Sequence, residues 1–140
     1  MKIKIQKISE DAVVPNYAKA GDAGFDIYSS VDEAITPGEM KRISAGIKME
    51  IPDGYVGLVW DKSGVAFNNG VKTMAGVIDS GYRGEILIVL KNLSEKTFEI
   101  KKGQKIAQML IQKIESPEIE VADSLGETER GDGGFGSTGV

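Results

Sequence analysis

The side chains best suited to chemistry in this sequence are carboxylates that stand among glycines. Residues 76–85 read GVIDSGYRGE, which places Asp79 three residues before Tyr82. A carboxylate held beside a water molecule can accept a proton as that water attacks, so Asp79 is a candidate general base. Tyr82 would then form one wall of a pocket. The alternative is a plain turn in which the Asp79 side chain caps its own backbone.

Two other polar segments could bind phosphate groups. Residues 61–64 read DKSG, where the Ser63 hydroxyl and backbone N–H groups could bind phosphate at a helix N-terminus, with Lys62 adding positive charge. The same residues could simply end a strand and start a short helix. Further on, Gln108 interrupts an apolar strand pattern. A buried amide costs about 1–3 kcal/mol unless it is hydrogen-bonded, and its partner could be the protein or a ligand.

The residue types that are missing restrict the chemistry further. The sequence contains no cysteine and no histidine, which excludes disulfides, thiolate nucleophiles, Ser-His-Asp triads and ordinary zinc sites. If the chain is an enzyme, its proton acceptor is expected to be Asp or Glu. Any metal is expected to be a hard cation such as Mg²⁺. Asp26, at the end of the turn-like segment AGDAGFD, could orient water molecules on such an ion.

The last eleven residues contain five glycines and differ in character from the rest of the chain. A segment of this kind cannot build a core. It is either a disordered end or a lid whose N–H groups wrap phosphates, with Arg130 on a terminal phosphate and Phe135 stacked on a base. The acidic residues 115–129 before it have room to be an arm that reaches another subunit. This divides the chain into a core (1–114), an arm (115–129) and a lid (130–140).

The elements that must position these groups are predicted to be strands. Ile3 and Ile5 alternate with polar residues, as do the apolar residues of 47–51, and this period of two indicates half-buried strands. The apolar runs 55–60 and 86–90 suit strands covered on both faces. Turn signals separate these runs, and only residues 63–68 resemble a short helix. The pattern predicts one all-β domain, a sandwich, barrel or jelly roll.

Charge and hydropathy limit the partners. The formal net charge is −4 and the sequence pI is about 4.9, so no basic face for nucleic acid is expected. A small anionic ligand needs only a few local cations and N–H groups. Residues 1–7 contain no long apolar run, which argues against a signal peptide or membrane span and makes a cytoplasmic location the default.

Taken together and in order, these segments resemble the five motifs of the trimeric dUTP pyrophosphatase (dUTPase) family. The resemblance spans nearly the whole chain, and its third and fifth segments are the most specific. The five segments are residues 23–27 (AGFDI), 62–64 (KSG), 76–84 (GVIDSGYRG), 103–108 (GQKIAQ) and 130–139 (RGDGGFGSTG).

The resemblance implies a jelly-roll (β-clip) subunit, a threefold homotrimer with a flexible C-terminal arm, and active sites shared by three chains. It implies hydrolysis of dUTP to dUMP and pyrophosphate, with Mg²⁺ as cofactor. Asp79 would activate water for in-line attack on the α-phosphorus, and Tyr82 would leave no room for a 2′-hydroxyl under the deoxyribose. Asp26 would bind waters on Mg²⁺ rather than the ion.

The resemblance also implies the remaining substrate contacts. The tail of one subunit would close over the site of another, with Arg130 on the γ-phosphate and Phe135 over the uracil. Backbone groups of a hairpin around residues 73–77 would read the uracil edge. The full set of further substrate-binding residues is Lys62, Ser63, Gly64 and Gln108 near the phosphates, Thr73, Gly76, Val77 and Ile78 near the base, and Gly136, Ser137 and Thr138 in the tail.

Two departures from the family pattern and two rival functions accompany this interpretation. Many relatives carry arginine where this chain has Lys62, and lysine cannot bind a phosphate bidentately. Phe25 stands where tyrosine is frequent, which removes one hydroxyl. The rivals are dCTP deaminase, which shares the fold, and a non-catalytic nucleotide-binding regulator. The intact 76–84 segment and the complete tail argue against both.

Overall fold

Two four-stranded antiparallel sheets form the body of the protein. The structure is a computed structural model and describes residues 1–139, so Val140, the last residue of the expected lid, lies outside it. The elements in chain order are β1 (Lys4–Lys7), β2 (Phe25–Tyr28), β3 (Glu33–Ile35), β4 (Met40–Glu50), β5 (Tyr55–Trp60), α1 (Ser63–Asn69), β6 (Val71–Met74), β7 (Val77–Ile78), β8 (Glu85–Asn92), β9 (Phe98–Ile100) and β10 (Lys105–Lys113).

The strand order shows which segments are neighbours. One sheet has the order β1-β4-β8-β6, the other has the order β2-β10-β5-β7, and β3 pairs with β9 in a small ribbon. A single hydrophobic cluster contains residues from both large sheets, among them Ile27, Ile47, Ile88 and Met109, each at most 1% exposed. The predicted all-β fold is confirmed. The one helix within residues 1–139 has seven residues and is too short to cross a membrane.

The strands follow the alternation of apolar and polar residues. In β8, Ile86, Ile88 and Leu90 are buried while the residues between them are only partly covered. One face of this run therefore lies in the core, and the other face is partly covered by the rest of the chain. β2 was not predicted from the sequence, although all four of its residues are buried, including Asp26.

A β-bulge interrupts the pairing of β4 with β8. The pairing of β4 with β8 shifts register between Ser44 and Lys48. Gly46 lies in this bulge with φ 65°, and a Cβ there would lie 2.8 Å from the Ser30 Cβ. Within the bulge, the Ser44 hydroxyl donates a hydrogen bond to the carboxylate of Glu85 at the start of β8.

The segment around residues 73–77 differs from the expected hairpin. β6 pairs with β8 in one sheet, whereas β7 pairs with β5 in the other sheet. The two strands on either side of the loop therefore do not pair with each other. The chain passes from sheet to sheet through Ala75 and Gly76, which have φ of 58° and 106°. The expected hairpin is wrong because this left-handed pair of residues redirects the backbone between the layers.

Candidate active site

Asp79 lies in the turn between β7 and β8. The Tyr82 N–H donates a hydrogen bond of 3.1 Å to the Asp79 carbonyl oxygen, so the backbone closes the turn. The exposed Asp79 carboxylate forms no hydrogen bond with any residue in the described part of the chain. It borders a cavity of about 180 Å³. The residues that line this cavity are Val77, Ile78, Asp79, Tyr82, Glu85 and Leu87. The carboxylate is thus free to bind a water molecule beside a pocket.

Side chains of the turn itself hold its shape. The Tyr82 hydroxyl donates to the Glu85 carbonyl oxygen at 2.9 Å. Arg83 donates from Nη1 to the carbonyl oxygens of Ser80 at 2.6 Å and Tyr82 at 3.0 Å. A Cβ at Gly84 would lie 2.4 Å from the Tyr82 Cζ, so only glycine lets the ring lie across the turn. The Tyr82 ring therefore has a defined position next to the Asp79 carboxylate.

The loop of residues 73–77 borders a second cavity, of about 260 Å³. Its lining residues are Leu58, Val59, Trp60, Lys72, Thr73, Ala75, Gly76 and Val77. The Gly76 carbonyl oxygen accepts a hydrogen bond of 2.8 Å from the Val59 N–H. A Cβ on Gly76 would lie 2.8 Å from the Val59 Cβ, so the close approach requires glycine. Because Val77 lines both cavities, the loop and Asp79 form one continuous surface.

A third cavity, of about 250 Å³, brings together three of the polar segments found in the sequence. Its lining residues are Ala18, Asp22, Ala23, Gly24, Asp26, Lys62, Ser63 and Gln108. The pairing of β10 with both β2 and β5 places Gln108 opposite Asp26 and Trp60. The segments that carry Asp26, Lys62 and Gln108 therefore meet, although they are far apart in sequence.

Asp26 is the most constrained carboxylate of this cavity, with 3% of its surface exposed. Lys62 Nζ donates a hydrogen bond to its Oδ1, and Lys105 Nζ lies 2.7 Å from its Oδ2. Burial raises the pKa of the Asp26 carboxyl, but the hydrogen bonds and charges of Lys105 and Lys62 outweigh burial and leave the pKa below its ordinary value. Two lysines around one carboxylate leave a local positive charge, which suits an anionic ligand.

Ser63 and Gln108 contribute differently to the cavity. Ser63 is exposed and begins α1, and its hydroxyl forms no hydrogen bond within residues 1–139. Since α1 has only seven residues, any phosphate contact here depends on the hydroxyl and on Lys62 more than on a helix dipole. Gln108 donates from Nε2 to the Asp61 carbonyl oxygen at 2.8 Å, so its amide nitrogen already has a partner inside the protein. The Gln108 Oε1 faces Gly24, where a Cβ would lie 2.9 Å away.

The candidate groups are divided between two separate surfaces of the chain. The surface that includes Asp79, Tyr82 and the 73–77 loop shares no lining residue with the cavity that includes Asp26, Lys62 and Gln108, in the part of the chain described. Within residues 1–139, no cavity is lined both by Asp79 and by any of Lys62, Ser63 and Gln108.

The C-terminal segment stands apart from the body. β10 ends at Lys113, and the last backbone hydrogen bond to the body runs from the Ile114 N–H to the Gly54 carbonyl oxygen, at 2.9 Å. From residue 115 to residue 139 no hydrogen bond reaches the rest of the chain. Ile119 and Val121 are more than 90% exposed. The segment therefore leaves these apolar side chains uncovered by its own chain.

Within the tail, the glycine-rich turns are closed by local hydrogen bonds. Arg130 donates from Nε to the Gly133 carbonyl oxygen at 2.9 Å. The Ser137 N–H donates to the Gly134 carbonyl oxygen at 3.1 Å. Phe135 is fully exposed and has a φ of 49°. The structure thus leaves Arg130, Phe135, Gly136, Ser137 and Thr138 away from both candidate surfaces of their own chain.

Two residues of the site escaped the sequence reasoning. Asp61 was read only as part of a turn, yet its carboxylate accepts three hydrogen bonds. Lys105 was quoted in the fourth segment without a role, yet it contacts Asp26. Both are charged residues next to predicted binding residues, and their partners are known only once the strands are paired.

The residues present fit a Mg²⁺ ion that is held mainly by phosphate oxygens of a bound substrate and by water. Among the residues that the structure describes, no three carboxylates converge on one point. Asp22 and Asp26 line the same cavity, but Asp26 already contacts two lysines. Mg²⁺ often keeps several waters and binds through one or two carboxylates and substrate phosphates. This donor set is compatible with the predicted water-mediated contact from Asp26.

The fold and these surfaces define a class: an all-β jelly roll with a polar cavity that contains Lys62 and Asp26, and another pocket beside the Asp79 carboxylate. A family model described as dUTPase matches residues 10–139. The chain belongs to the dUTPase family.

Individual relatives support the same family. The chain is 47% identical over 139 residues to the deoxyuridine 5'-triphosphate nucleotidohydrolase of Clostridium tetani, covering 98% of this chain and 96% of that protein. It is 42% identical to the mitochondrial enzyme of Homo sapiens of the same name, covering 99% of this chain and 55% of that protein. The solved structure of the Staphylococcus bacteriophage 80alpha dUTPase with dUPNHPP has a TM-score of 0.95 at 30% identity, and 99% of each chain is covered.

A further solved structure concerns the metal. A variant of the dUTPase from phage phi11 of S. aureus has a TM-score of 0.83 at 28% identity, covering 89% of this chain and 98% of that chain. That structure concerns the coordination of a structural Mg(II) ion.

Proposed function

We propose that this chain hydrolyses dUTP to dUMP and pyrophosphate, with Asp79 as the general base for water attack on the α-phosphorus. The single observation that carries the proposal is the Asp79 carboxylate, which has no hydrogen-bond partner in residues 1–139 and borders a pocket beside Tyr82 and the 73–77 loop. A carboxylate in this state can hold a water molecule and accept its proton.

Substrate choice follows from the groups around Asp79. Tyr82, fixed by its hydrogen bond to Glu85, packs under the deoxyribose and excludes a 2′-hydroxyl. A backbone N–H of the 73–77 loop donates to O4 of uracil. Cytosine carries an amine at that position, so a fixed N–H donor rejects it. Ala75 and Gly76 line this cavity in left-handed conformations, and the backbone groups of the loop contact the base there.

The phosphates bind in the cavity lined by Lys62, Ser63 and Gln108. Lys62 exchanges its contact with Asp26 for a phosphate oxygen, while Lys105 stays on Asp26 and compensates its charge. Phosphoryl transfer needs positioning and charge neutralisation more than covalent participation by the protein. When Mg²⁺ is bound with the substrate, it neutralises phosphate charge, and Asp26 orients its waters.

The division of these groups between two surfaces is the reason to propose a homotrimer. In a threefold ring the Asp79 surface of one subunit can face the Lys62 cavity of the next, so the site is complete only in the assembly. The arm of residues 115–129, with its exposed Ile119 and Val121, reaches a neighbouring subunit. The tail then closes as a lid, with Arg130 on the γ-phosphate and Phe135 over the uracil.

The decisive experiment offers dUTP, dTTP, dCTP and UTP separately with Mg²⁺ and quantifies monophosphate and pyrophosphate. Rapid release of both products from dUTP is expected, with kcat/KM lower by about 10²-fold or more for the other three. Omitting Mg²⁺ should slow the reaction with dUTP. Equal rates with all four nucleotides, binding without turnover, or ammonia release from dCTP would each contradict the proposal.

A further inference from the structure

Asp61, which the proposed mechanism does not use, connects three segments of the candidate site. It directly precedes Lys62. Its Oδ1 accepts hydrogen bonds from the Thr73 N–H at 2.6 Å and the Thr73 hydroxyl at 2.8 Å. Its Oδ2 accepts one from Lys72 Nζ at 2.7 Å, and its backbone carbonyl accepts one from Gln108 Nε2 at 2.8 Å. This single residue therefore contacts the start of the 73–77 loop, which is the proposed base-reading loop. It also contacts a strand of each sheet and directly precedes the phosphate-binding segment.

The contact with Thr73 satisfies a backbone group that has no strand partner. β6 is the outer strand of its sheet, and N–H groups on a free edge lack a neighbouring strand. Thr73 is nevertheless buried, with 7% of its surface exposed. A charged acceptor makes hydrogen bonds about twice as strong as a neutral one. Asp61 is therefore a firm anchor for the start of the 73–77 loop.

The other end of the loop is attached to the same short segment. Gly76 accepts its 2.8 Å hydrogen bond from Val59, which lies two residues before Asp61. Between the two anchors, Ala75 has a φ of 58°, a left-handed conformation that residues other than glycine seldom adopt. Such a conformation persists only where surrounding contacts hold it. The shape of the loop thus depends on the segment that ends at Asp61.

We infer that Asp61 is a positioning residue that fixes the base-reading loop to the body of its own subunit and so determines how well uracil is distinguished from cytosine. The inference rests on the proposed function and names a residue of that same site. Discrimination between a carbonyl and an amine needs a donor held in one place. If the contact between Asp61 and Thr73 is lost, the loop shifts, and its N–H discriminates less well between uracil and cytosine.

The test compares kcat/KM for dUTP with kcat/KM for dCTP. Asp61→Ala should lower the ratio of the two values by about tenfold or more. Asp61→Asn keeps an amide oxygen that accepts both Thr73 bonds, so its ratio should lie between those of the wild type and Asp61→Ala. The matched control is Asp11→Ala, which removes an exposed pair with Lys102 at 2.9 Å and should leave the ratio unchanged.

The ratio separates positioning from mere stability, because a smaller folded fraction lowers both rates equally. If Asp61→Ala yields no folded protein, Thr73→Val removes only the hydroxyl donor, and the ratio should fall about two- to tenfold. An unchanged ratio in a folded Asp61→Ala or Thr73→Val protein overturns the inference, as does an Asp61→Asn ratio no higher than that of Asp61→Ala. Failure of the proposed function is distinct, because the wild type would then release no pyrophosphate from dUTP.

Discussion

Three aspartates of the candidate site differ in how many donors contact their carboxylates. Asp79 has none among residues 1–139, Asp26 contacts two lysines, and Asp61 accepts bonds from Thr73 and a lysine. A carboxylate that is already saturated by fixed donors is a poor base, because its lone pairs are occupied and its charged form is stabilised. The pattern of partners therefore favours Asp79 as the proposed general base and the proposed positioning roles for the other two.

The environment of Asp26 predicts a pH dependence of stability. The pKa of this carboxyl is held below its ordinary value because hydrogen bonds and charges of Lys105 and Lys62 outweigh the effect of burial. Its stabilising contribution is therefore complete above the unfolded pKa of about 3.9 and is lost as pH falls through the lower folded pKa. Urea denaturation at one protein concentration should give a free energy of unfolding that falls less steeply with acid for Asp26→Asn than for the wild type.

The matched control for this measurement is Asp53→Asn. Asp53 is exposed, and its side chain forms no hydrogen bond in the described part of the chain. This variant should keep the acid dependence of the wild type. The account of Asp26 would be wrong if Asp26→Asn lost stability between neutral and acidic pH as steeply as the wild type does.

At the scale of elements, the loop between β6 and β7 depends on close contact with β5. Gly76 has a φ of 106° and lies against Val59. Gly76→Ala places a Cβ 2.8 Å from the Val59 Cβ in a strained conformation, so it should destabilise the protein by about 1–3 kcal/mol and raise KM for dUTP. Thermal denaturation and steady-state kinetics measure the two effects.

Gly126→Ala is the control for the loop variant, because a Cβ at Gly126 meets nothing within 4 Å. It should behave as the wild type in both measurements. A Gly76→Ala protein with unchanged stability and unchanged KM would contradict the assigned fit between the loop and β5.

The glycine-rich tail is the second element whose role can be tested directly. Within residues 130–139, the turns of the tail are closed only by local hydrogen bonds and Phe135 is fully exposed, so this part of the tail adds nothing to the core. Deleting residues 130–140 should leave the number of subunits in the assembly unchanged and lower kcat/KM for dUTP by about 10²-fold or more, because the lid no longer positions the phosphates. Light scattering and pyrophosphate release give the two results. Full activity of the shortened protein would exclude a lid.

At the scale of the whole molecule, the separation of the two candidate surfaces predicts that sites are shared between subunits. Asp79→Asn and Ser63→Ala proteins should each be impaired. When they are unfolded together and refolded in equal amounts, about a quarter of the sites in a threefold ring combine the intact surface of one variant with the intact surface of the other. Pyrophosphate release should then exceed that of either refolded variant alone. Absence of such recovery in mixed trimers would place each site within one chain.

Much of this arrangement follows from local sequence, and the remainder depends on strand pairing. The period of two at residues 3–5 and 47–51 located β1 and the C-terminal end of β4, and the apolar run 55–60 coincides with β5. β2 was missed since its four residues follow a glycine-rich turn and include a buried aspartate. From sequence alone, an aspartate is expected at the surface, because charged residues are seldom buried without partners.

The contacts between these charged side chains depend on the register in which the strands pair. β10 pairs with β2 with an irregularity between Lys105 and Ala107, and Lys105 lies 2.7 Å from Asp26 across these strands. No local pattern in either strand predicts that contact. The Asp61 anchor is similar, because Thr73 lies twelve residues away on a strand of the other sheet. The order of the five segments indicated which residues belong to the site, while the tertiary structure reveals the residues that position them.

The central claim is that the Asp79 carboxylate activates the attacking water, and Asp79→Asn tests it most directly. The exchange keeps the size of the side chain and removes its ability to accept a proton. Turnover of dUTP should fall by about 10²–10⁴-fold, while the thermal unfolding temperature and the affinity for a non-hydrolysable dUTP analogue stay close to wild type. Pyrophosphate release by Asp79→Asn at a near-normal rate would contradict the account.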